Sequence, residues 1–315
     1  MRSASRFRRI LAALAVLALV LAAWVGVSIL TLPSVAPLAK PGVSMTITVK
    51  DWQGKGHPFV VGPRNPRWTP YGAIPAALKK AVVASEDAHF YTHEGVDYEA
   101  MREAIKADWR KGKFVRGGST ITQQLAKNLF LTREKTLIRK VKEIVLARRL
   151  DDALSKSRIL ELYLNVVEFG PMVYGIGHAA HYYFGKPPSA LSVRECAFLA
   201  SMLPGPKVYN PYRKLDRVMR RSDRILRRMV AARMISREEY DAAMAEVPNL
   251  AGLTRKVEKT LETPPPEEKP PGDTPDGGPA ILEEPPGSAP AGPESDGAPG
   301  REGDRSAPEE SPVSR

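Results

Sequence analysis

The chain has 315 residues, with 47 Lys and Arg against 35 Asp and Glu and a formal net charge of +12. Its length admits one large domain or two small ones, and its single cysteine, Cys196, excludes an intrachain disulfide, so stability has to come from packing. The charge is uneven: residues 261–315 hold 13 acidic and 4 basic side chains, which leaves +21 on residues 1–260, a balance that suits nucleic acid, anionic lipid or a phosphate-bearing substrate.

Arg2, Arg6, Arg8 and Arg9 precede 21 residues, Ile10 to Leu30, that carry no charge and only Ser28 as a polar interruption. As a helix that run is about 31 Å long, enough to cross a bilayer. No acidic residue occurs before Asp51, so the positive-inside bias predicts a cytoplasmic segment over 1–9, an anchor over 10–30 and the remainder outside. A cleaved signal peptide fits less well, because its apolar stretch is usually about 7–15 residues, and Trp24, Val25 and Ile29 supply no small-x-small site. An anchor favours lipid over nucleic acid as the partner of the cationic part.

Pro33, Pro37, Pro41 and Gly42 break any continuing helix, and Met45 to Val49 alternates weakly like a short strand, so residues 31–67 read as a stalk or an entry strand. From Ile74 the pattern turns helical. Leu78, Ala81, Val82 and Ala84 recur at helical spacing, as do apolar positions in 98–109, 122–131, 137–150, 159–167, 193–203 and 215–234, predicting a mainly α domain over 68–259 with about eight or more helices. Beyond Lys259 lie 14 of the 29 prolines and few large apolar residues, so residues 260–315 read as a disordered acidic tail.

Three segments carry chemistry. In Ser85-Glu86-Asp87-Ala88-His89-Phe90-Tyr91-Thr92-His93-Glu94-Gly95, adjacent carboxylates end an apolar helix and are not expected to point inward together. One of them against apolar walls would have a raised pKa and could serve as a general base, although such a pair alone more often marks a solvated helix end. In Gly117-Gly118-Ser119-Thr120-Ile121-Thr122-Gln123-Gln124-Leu125-Ala126-Lys127-Asn128, a loop feeds a helix capped by Ser119 or Thr120. Its free N–H groups suit an anion, and Gln123, Gln124 and Lys127 offer further donors; an ordinary capped helix fits equally. Arg133, Lys135, Arg139, Lys140 and Lys142 then surround Glu143, with Arg139 and Lys140 four and three positions before it, so the carboxylate is expected to be held ionised. A salt-bridged structural helix explains that as well. Upstream, Trp109-Arg110-Lys111-Gly112-Lys113-Phe114-Val115-Arg116 interleaves aromatics and cations as an interfacial segment does.

Four blocks in order carry a resemblance over residues 68–240: Glu86-Asp87 with Phe90, His93 and Gly95; Gly118-Ser119-Thr120-Ile121-Thr122-Gln123-Gln124 with Lys127 and Asn128; Arg139-Lys140 with Glu143 and Ala147; and Ile159-Leu160-Glu161-Leu162-Tyr163-Leu164-Asn165 followed by Gly170 and Gly175. The chain resembles the family 51 glycosyltransferases, the peptidoglycan glycosyltransferases, and among them the membrane-anchored monofunctional members. The resemblance implies a mainly α, lysozyme-like fold that uses lipid II as donor and acceptor, with lipid II, the growing glycan strand, the membrane and cell-wall synthesis or division proteins as partners, and no nucleic acid.

Carried over residue by residue, Glu86 matches the general base that takes the proton from the acceptor GlcNAc 4-hydroxyl, and inversion at the donor gives a β-1,4 bond. Glu143 matches a second carboxylate that assists departure of the pyrophosphate, directly or through a divalent cation, Mg or Mn. No metal ligand is assigned and no organic cofactor is implied. Lys127, Arg139 and Lys140 match positions around the diphosphate. Asp87, Phe90, His93, Thr120, Gln124, Asn128 and Glu161 match positions that shape or support the cleft. Two residues depart from the family: Asp151 replaces Glu, and Lys135 replaces an Arg, losing bidentate geometry.

Among rivals, a lytic transglycosylase gives no role to the Gly-Gly-Ser-Thr loop or to Glu143, and a silent scaffold gives none to the base. No Ser-x-x-Lys occurs and little ordered chain is expected after residue 250, which argues against an added transpeptidase.

Overall fold

The computed structural model describes residues 2–250 apart from Pro41, Trp52, 113–116, 133–135, Pro204, 206–208 and Asn249. These all fall within the first of two units, Met1–Pro279; the second, Ala280–Arg315, lies outside the described residues, as do the whole 260–315 tail, Arg133, Lys135 and the Lys113–Arg116 half of the expected interfacial segment.

Helix α1 spans Arg2–Leu30, and its Leu11–Leu30 stretch is long and apolar enough to cross a membrane. The segment read as a stalk or an entry strand contains an antiparallel hairpin, β1 Met45–Lys50 with β2 Gly56–Val61, in register from Met45 opposite Val61 to Lys50 opposite Gly56. Asp51 closes its turn by accepting from the backbone N–H groups of Gln53 and Lys55, both at 2.9 Å. β2 escaped the sequence reading because Pro58 argues against a strand; a two-stranded sheet has only edges, where proline is tolerated.

Nine helices follow among the described residues: α2 Ala76–Glu86, α3 Tyr98–Lys111, α4 Ile121–Phe130, α5 Leu137–Ala153, α6 Lys156–Val166, α7 Ile176–Phe184, α8 Val193–Met202, α9 Pro211–Ala231 and α10 Arg237–Ala245. A short antiparallel pair, β3 Glu168–Gly170 and β4 Val173–Tyr174, separates α6 from α7. Side chains set most of the helix starts. Asp97 caps α3, Thr136 caps α5, Ser155 caps α6 and Asn210 caps α9, while α4, α8 and α10 begin with reciprocal Thr120/Gln123, Ser192/Glu195 and Ser236/Glu239 boxes.

The centre of the domain is α6, where Ile159, Leu160 and every residue from Leu162 to Val166 are buried, so it is enclosed nearly all round. Asn165, buried on that helix, accepts from the backbone N–H of Thr69 at 2.8 Å and donates to the Thr69 carbonyl at 2.8 Å, pinning the segment before α2. Helix α9 is instead amphipathic: Val218, Ser222, Ile225, Leu226 and Met229 form its buried stripe, with Arg221 among them. Gly95 adopts φ +79°, and a Cβ there would lie 2.5 Å from the Ala147 carbonyl of α5; only glycine lets the loop after α2 approach that helix so closely.

Candidate active site

The last residue of α2 and the first two turns of α4 and α5 build the site, backed by Tyr163 of α6 and Arg221 of α9. Glu86 and Asp87 are both drawn inward, with side chains only 7% and 3% exposed, contrary to the expectation that one would have to face out. They diverge because the helix ends between them: Asp87 adopts extended backbone, φ −162° and ψ 78°, and its side chain takes a different direction. Its Oδ2 accepts from the backbone N–H of Ile121 at 2.9 Å, and both oxygens lie 3.0 Å from His93 Nε2. Of the two readings open for the N-terminus of α4, an anion seat or an ordinary capped helix, the structure shows a protein carboxylate on Ile121 N–H and the Thr120 cap on Gln123 N–H.

Glu86 Oε2 accepts from Gln124 Nε2 at 3.0 Å, and Gln124 Oε1 accepts from the Tyr163 hydroxyl at 3.0 Å. Tyr163 is fully buried on α6, and the Glu86 carboxylate, which only accepts, sets which way round the amide of Gln124 sits, so the Tyr163 hydroxyl donates. Burial, with Glu86 and Asp87 nearby, raises the Tyr163 pKa well above the phenol range, so the hydroxyl keeps the proton it donates. Glu86 Oε1 is buried without a hydrogen-bond partner and lies 3.6 Å from Arg221 Nη2. Burial pushes the Glu86 carboxyl above the ordinary 4.5; Arg221, the Gln124 hydrogen bond and Lys127 oppose the rise and Asp87 adds to it.

Glu143 is 3% exposed, and both its oxygens are engaged, Oε2 by Arg139 and Oε1 by Lys140. Lys140 also donates to Ser119 Oγ at 2.7 Å, joining α5 to the loop before α4. Between the two carboxylates stands Lys127. Solvent reaches it, yet protein crowds it, which is how a side chain on a concave wall behaves. The crowding lowers its pKa, Glu143 and Glu86 oppose that, and Arg139 and Lys140 reinforce it, so one ammonium feels both halves of the cluster.

Other expected residues have structural partners. Phe90 is fully buried. His93 is held by Asp87, and Thr120 donates to the Gly95 carbonyl at 2.7 Å while capping α4. Gln123, offered as a donor, spends its Oε1 on the Thr120 N–H at 3.0 Å. Asn128 is half-buried on α4 beside Lys127. Glu161 belongs to a different network: it accepts from Trp68 Nε1 at 3.2 Å and pairs with Arg158 at 3.1 Å. Two positions from Tyr163 on one helix, it points the opposite way. Asp151 pairs with Lys156 at 2.6 Å, and Lys156 also bonds the His93 carbonyl, so that departure lies behind the site.

Sequence reasoning gave no role to Arg221, named Tyr163 only within a matched block and offered Ser119 only as a helix cap, a place that Thr120 takes. The signal for Arg221 was present: a cation where the α9 pattern calls for an apolar side chain.

A divalent cation finds no built seat. Among the described residues no three His, Cys, Asp or Glu side chains gather as ligands, and the one carboxylate beside the cationic cluster is saturated by Arg139 and Lys140. Two surface hollows, of about 250 and 380 Å³, are lined by residues such as Phe59, Arg67, Tyr174 and His181, and hold no member of this cluster.

A helical domain that sets one buried carboxylate, Glu86, beside Lys127, and Lys127 beside the Arg139–Lys140–Glu143 cluster, has the groups that a glycosyl transferase needs. The chain belongs to the transglycosylase family, whose description matches residues 56–230. It is 48% identical over 168 residues to the biosynthetic peptidoglycan transglycosylase of Herminiimonas arsenicoxydans, covering 53% of this chain and 73% of that one. It is also 38% identical over 234 residues to penicillin-binding protein 1A of Aquifex aeolicus, covering 73% of this chain and 32% of the relative. A crystal structure of penicillin-binding protein 1A from Haemophilus influenzae aligns with 65% of this chain and 21% of that one, at 22% identity and a TM-score of 0.33, too low to add to the argument.

Proposed function

We infer that this chain is a peptidoglycan glycosyltransferase that polymerises lipid II into β-1,4-linked glycan strands and releases undecaprenyl pyrophosphate. The observation that carries the mechanism is the neighbourhood of two groups: Glu86, buried with its Oε1 lacking a hydrogen-bond partner, and Lys127, whose ammonium feels both Glu86 and the Arg139, Lys140 and Glu143 cluster.

The acceptor 4-hydroxyl gives its proton to the Glu86 carboxylate as its oxygen attacks the donor anomeric carbon from the face opposite the diphosphate. The bond from that carbon to the diphosphate oxygen breaks, the electron pair leaves with undecaprenyl pyrophosphate, and configuration inverts. Lys127, Arg139 and Lys140 meet the charge that grows on the leaving group with donors already in place. Glu143 keeps Arg139 and Lys140 beside one another, a juxtaposition of like charges that would otherwise be costly. No step is routed through a divalent cation.

Leu11–Leu30 anchors the chain in the bacterial cytoplasmic membrane with the arginine-rich N-terminus inside and the catalytic domain outside. The exposed Ile105 and Trp109 on one side of α3 suit contact with the lipid interface, where the substrate's polyprenyl tail resides.

Purified full-length protein in detergent, given lipid II, is expected to yield long glycan chains whose new linkages are β-1,4. Cleavage of preformed glycan without polymerisation would instead assign the chain to the lytic enzymes.

A further inference from the structure

Arg221 occupies a place in α9 that an apolar side chain should fill, and it is only 4% exposed. A buried guanidinium costs several kcal/mol unless compensated. The Tyr209 ring, with its centroid 5.2 Å from the guanidinium carbon, offers partial compensation, and the Nη2 lies 3.6 Å from Glu86 Oε1.

The two oxygens of Glu86 are not equivalent. Oε2 is tied through Gln124 to Tyr163. Oε1 has no hydrogen-bond partner, and the 3.6 Å to Arg221 exceeds hydrogen-bond length. A full hydrogen bond there would occupy the lone pair that has to accept the proton. A cation slightly too far away supplies its charge and leaves the lone pair open.

We propose that Arg221 is the positioning residue for the general base: from α9 its guanidinium, 3.6 Å from Glu86 Oε1, holds that buried oxygen in place, while the Tyr163–Gln124 pair fixes the other oxygen. The proposal rests on Glu86 being the base. The groups facing that carboxylate are Arg221 from α9, Gln124 and Lys127 from α4, Tyr163 from α6 and Asp87 next to it in the chain. Lys127 is shared with Glu143, so Arg221 is the nearer cation directed to Glu86 itself.

The test is the pH dependence of kcat for lipid II polymerisation by the full chain, comparing wild type with Arg221→Met, Arg221→Gln and Arg221→Lys. The neutral variants are expected to move the acid limb upward, losing about tenfold near neutral pH and regaining most of it in alkali, because one pKa unit is one factor of ten. Arg221→Lys should restore the limb towards wild type. A loss equal at every pH, with the limb unmoved, would mean Arg221 only packs α9, and a wild-type profile in both neutral variants would overturn the proposal outright. Should Arg221→Met fail to fold, Arg221→Gln carries the comparison. Glu86→Gln, assayed alongside, should be inactive at every pH; activity there would refute the base assignment itself, an outcome distinct from failure of the Arg221 variants.

Discussion

Asp87 closes the N-terminus of α4, its Oδ2 accepting from the backbone N–H of Ile121 at 2.9 Å. This places two consecutive carboxylates in different occupations: one is committed to a helix end and to His93, and the other keeps a buried oxygen without a hydrogen-bond partner. Asp87→Ala should therefore act mainly on stability. Losing a charged cap and a buried pair is expected to cost about 2–4 kcal/mol, read as a lowered Tm. A variant with wild-type Tm and a large loss of kcat would mean Asp87 takes part in the chemistry.

The rate should follow a bell in pH. The base has to be deprotonated, and burial raises Glu86 above 4.5, so the acid limb of kcat/KM should lie above the ordinary carboxylate range. The cation facing the diphosphate has to be protonated, and crowding lowers Lys127 below 10.5, so the alkaline limb should lie below that value. Lys127→Arg, which keeps its charge in alkali, should move the alkaline limb upward. An unmoved limb would detach it from Lys127.

The same burial makes Glu86 a cost to folding at neutral pH. With a folded pKa above the unfolded one, its favourable contribution is complete below the unfolded pKa and is lost as pH rises through the folded value. Glu86→Gln should therefore be at least as stable as wild type near pH 8, with the difference shrinking in acid. A Tm clearly below wild type at pH 8 would show that the charge on Glu86 is needed to hold Arg221 and Gln124.

Glu143→Gln leaves Arg139 and Lys140 adjacent without their counter-charge. Activity is expected to fall by about 10²–10³-fold, with a loss of stability that high salt partly relieves by screening the two cations. Salt that restores the fold but not the activity fits a positioning role; unchanged activity would remove Glu143 from the account.

Much of this was legible before the fold. Arg139 and Lys140 reach Glu143 because helical spacing puts them there, and periodicity marked α2 to α6, α8 and α9. What escaped is what spacing cannot carry. Tyr163 and Gln124 meet across 39 positions, and Arg221 approaches Glu86 from another helix altogether. Nor could local pattern reveal that the donors opening α4 would be claimed by Asp87, 34 positions upstream of Ile121. α7 was missed although it is mostly buried, because its nine residues between Gly175 and Gly185 are short for a helix read from pattern alone.

The most direct test of the central claim separates binding from chemistry in Glu86→Gln. Substrate affinity should be measured by direct binding of lipid II to the folded variant, and bond formation by a single turnover. The account predicts near-wild-type binding, through an unaltered Lys127, Arg139 and Lys140 cluster, with no glycosidic bond formed. Polymerisation at the wild-type rate by that variant would contradict it.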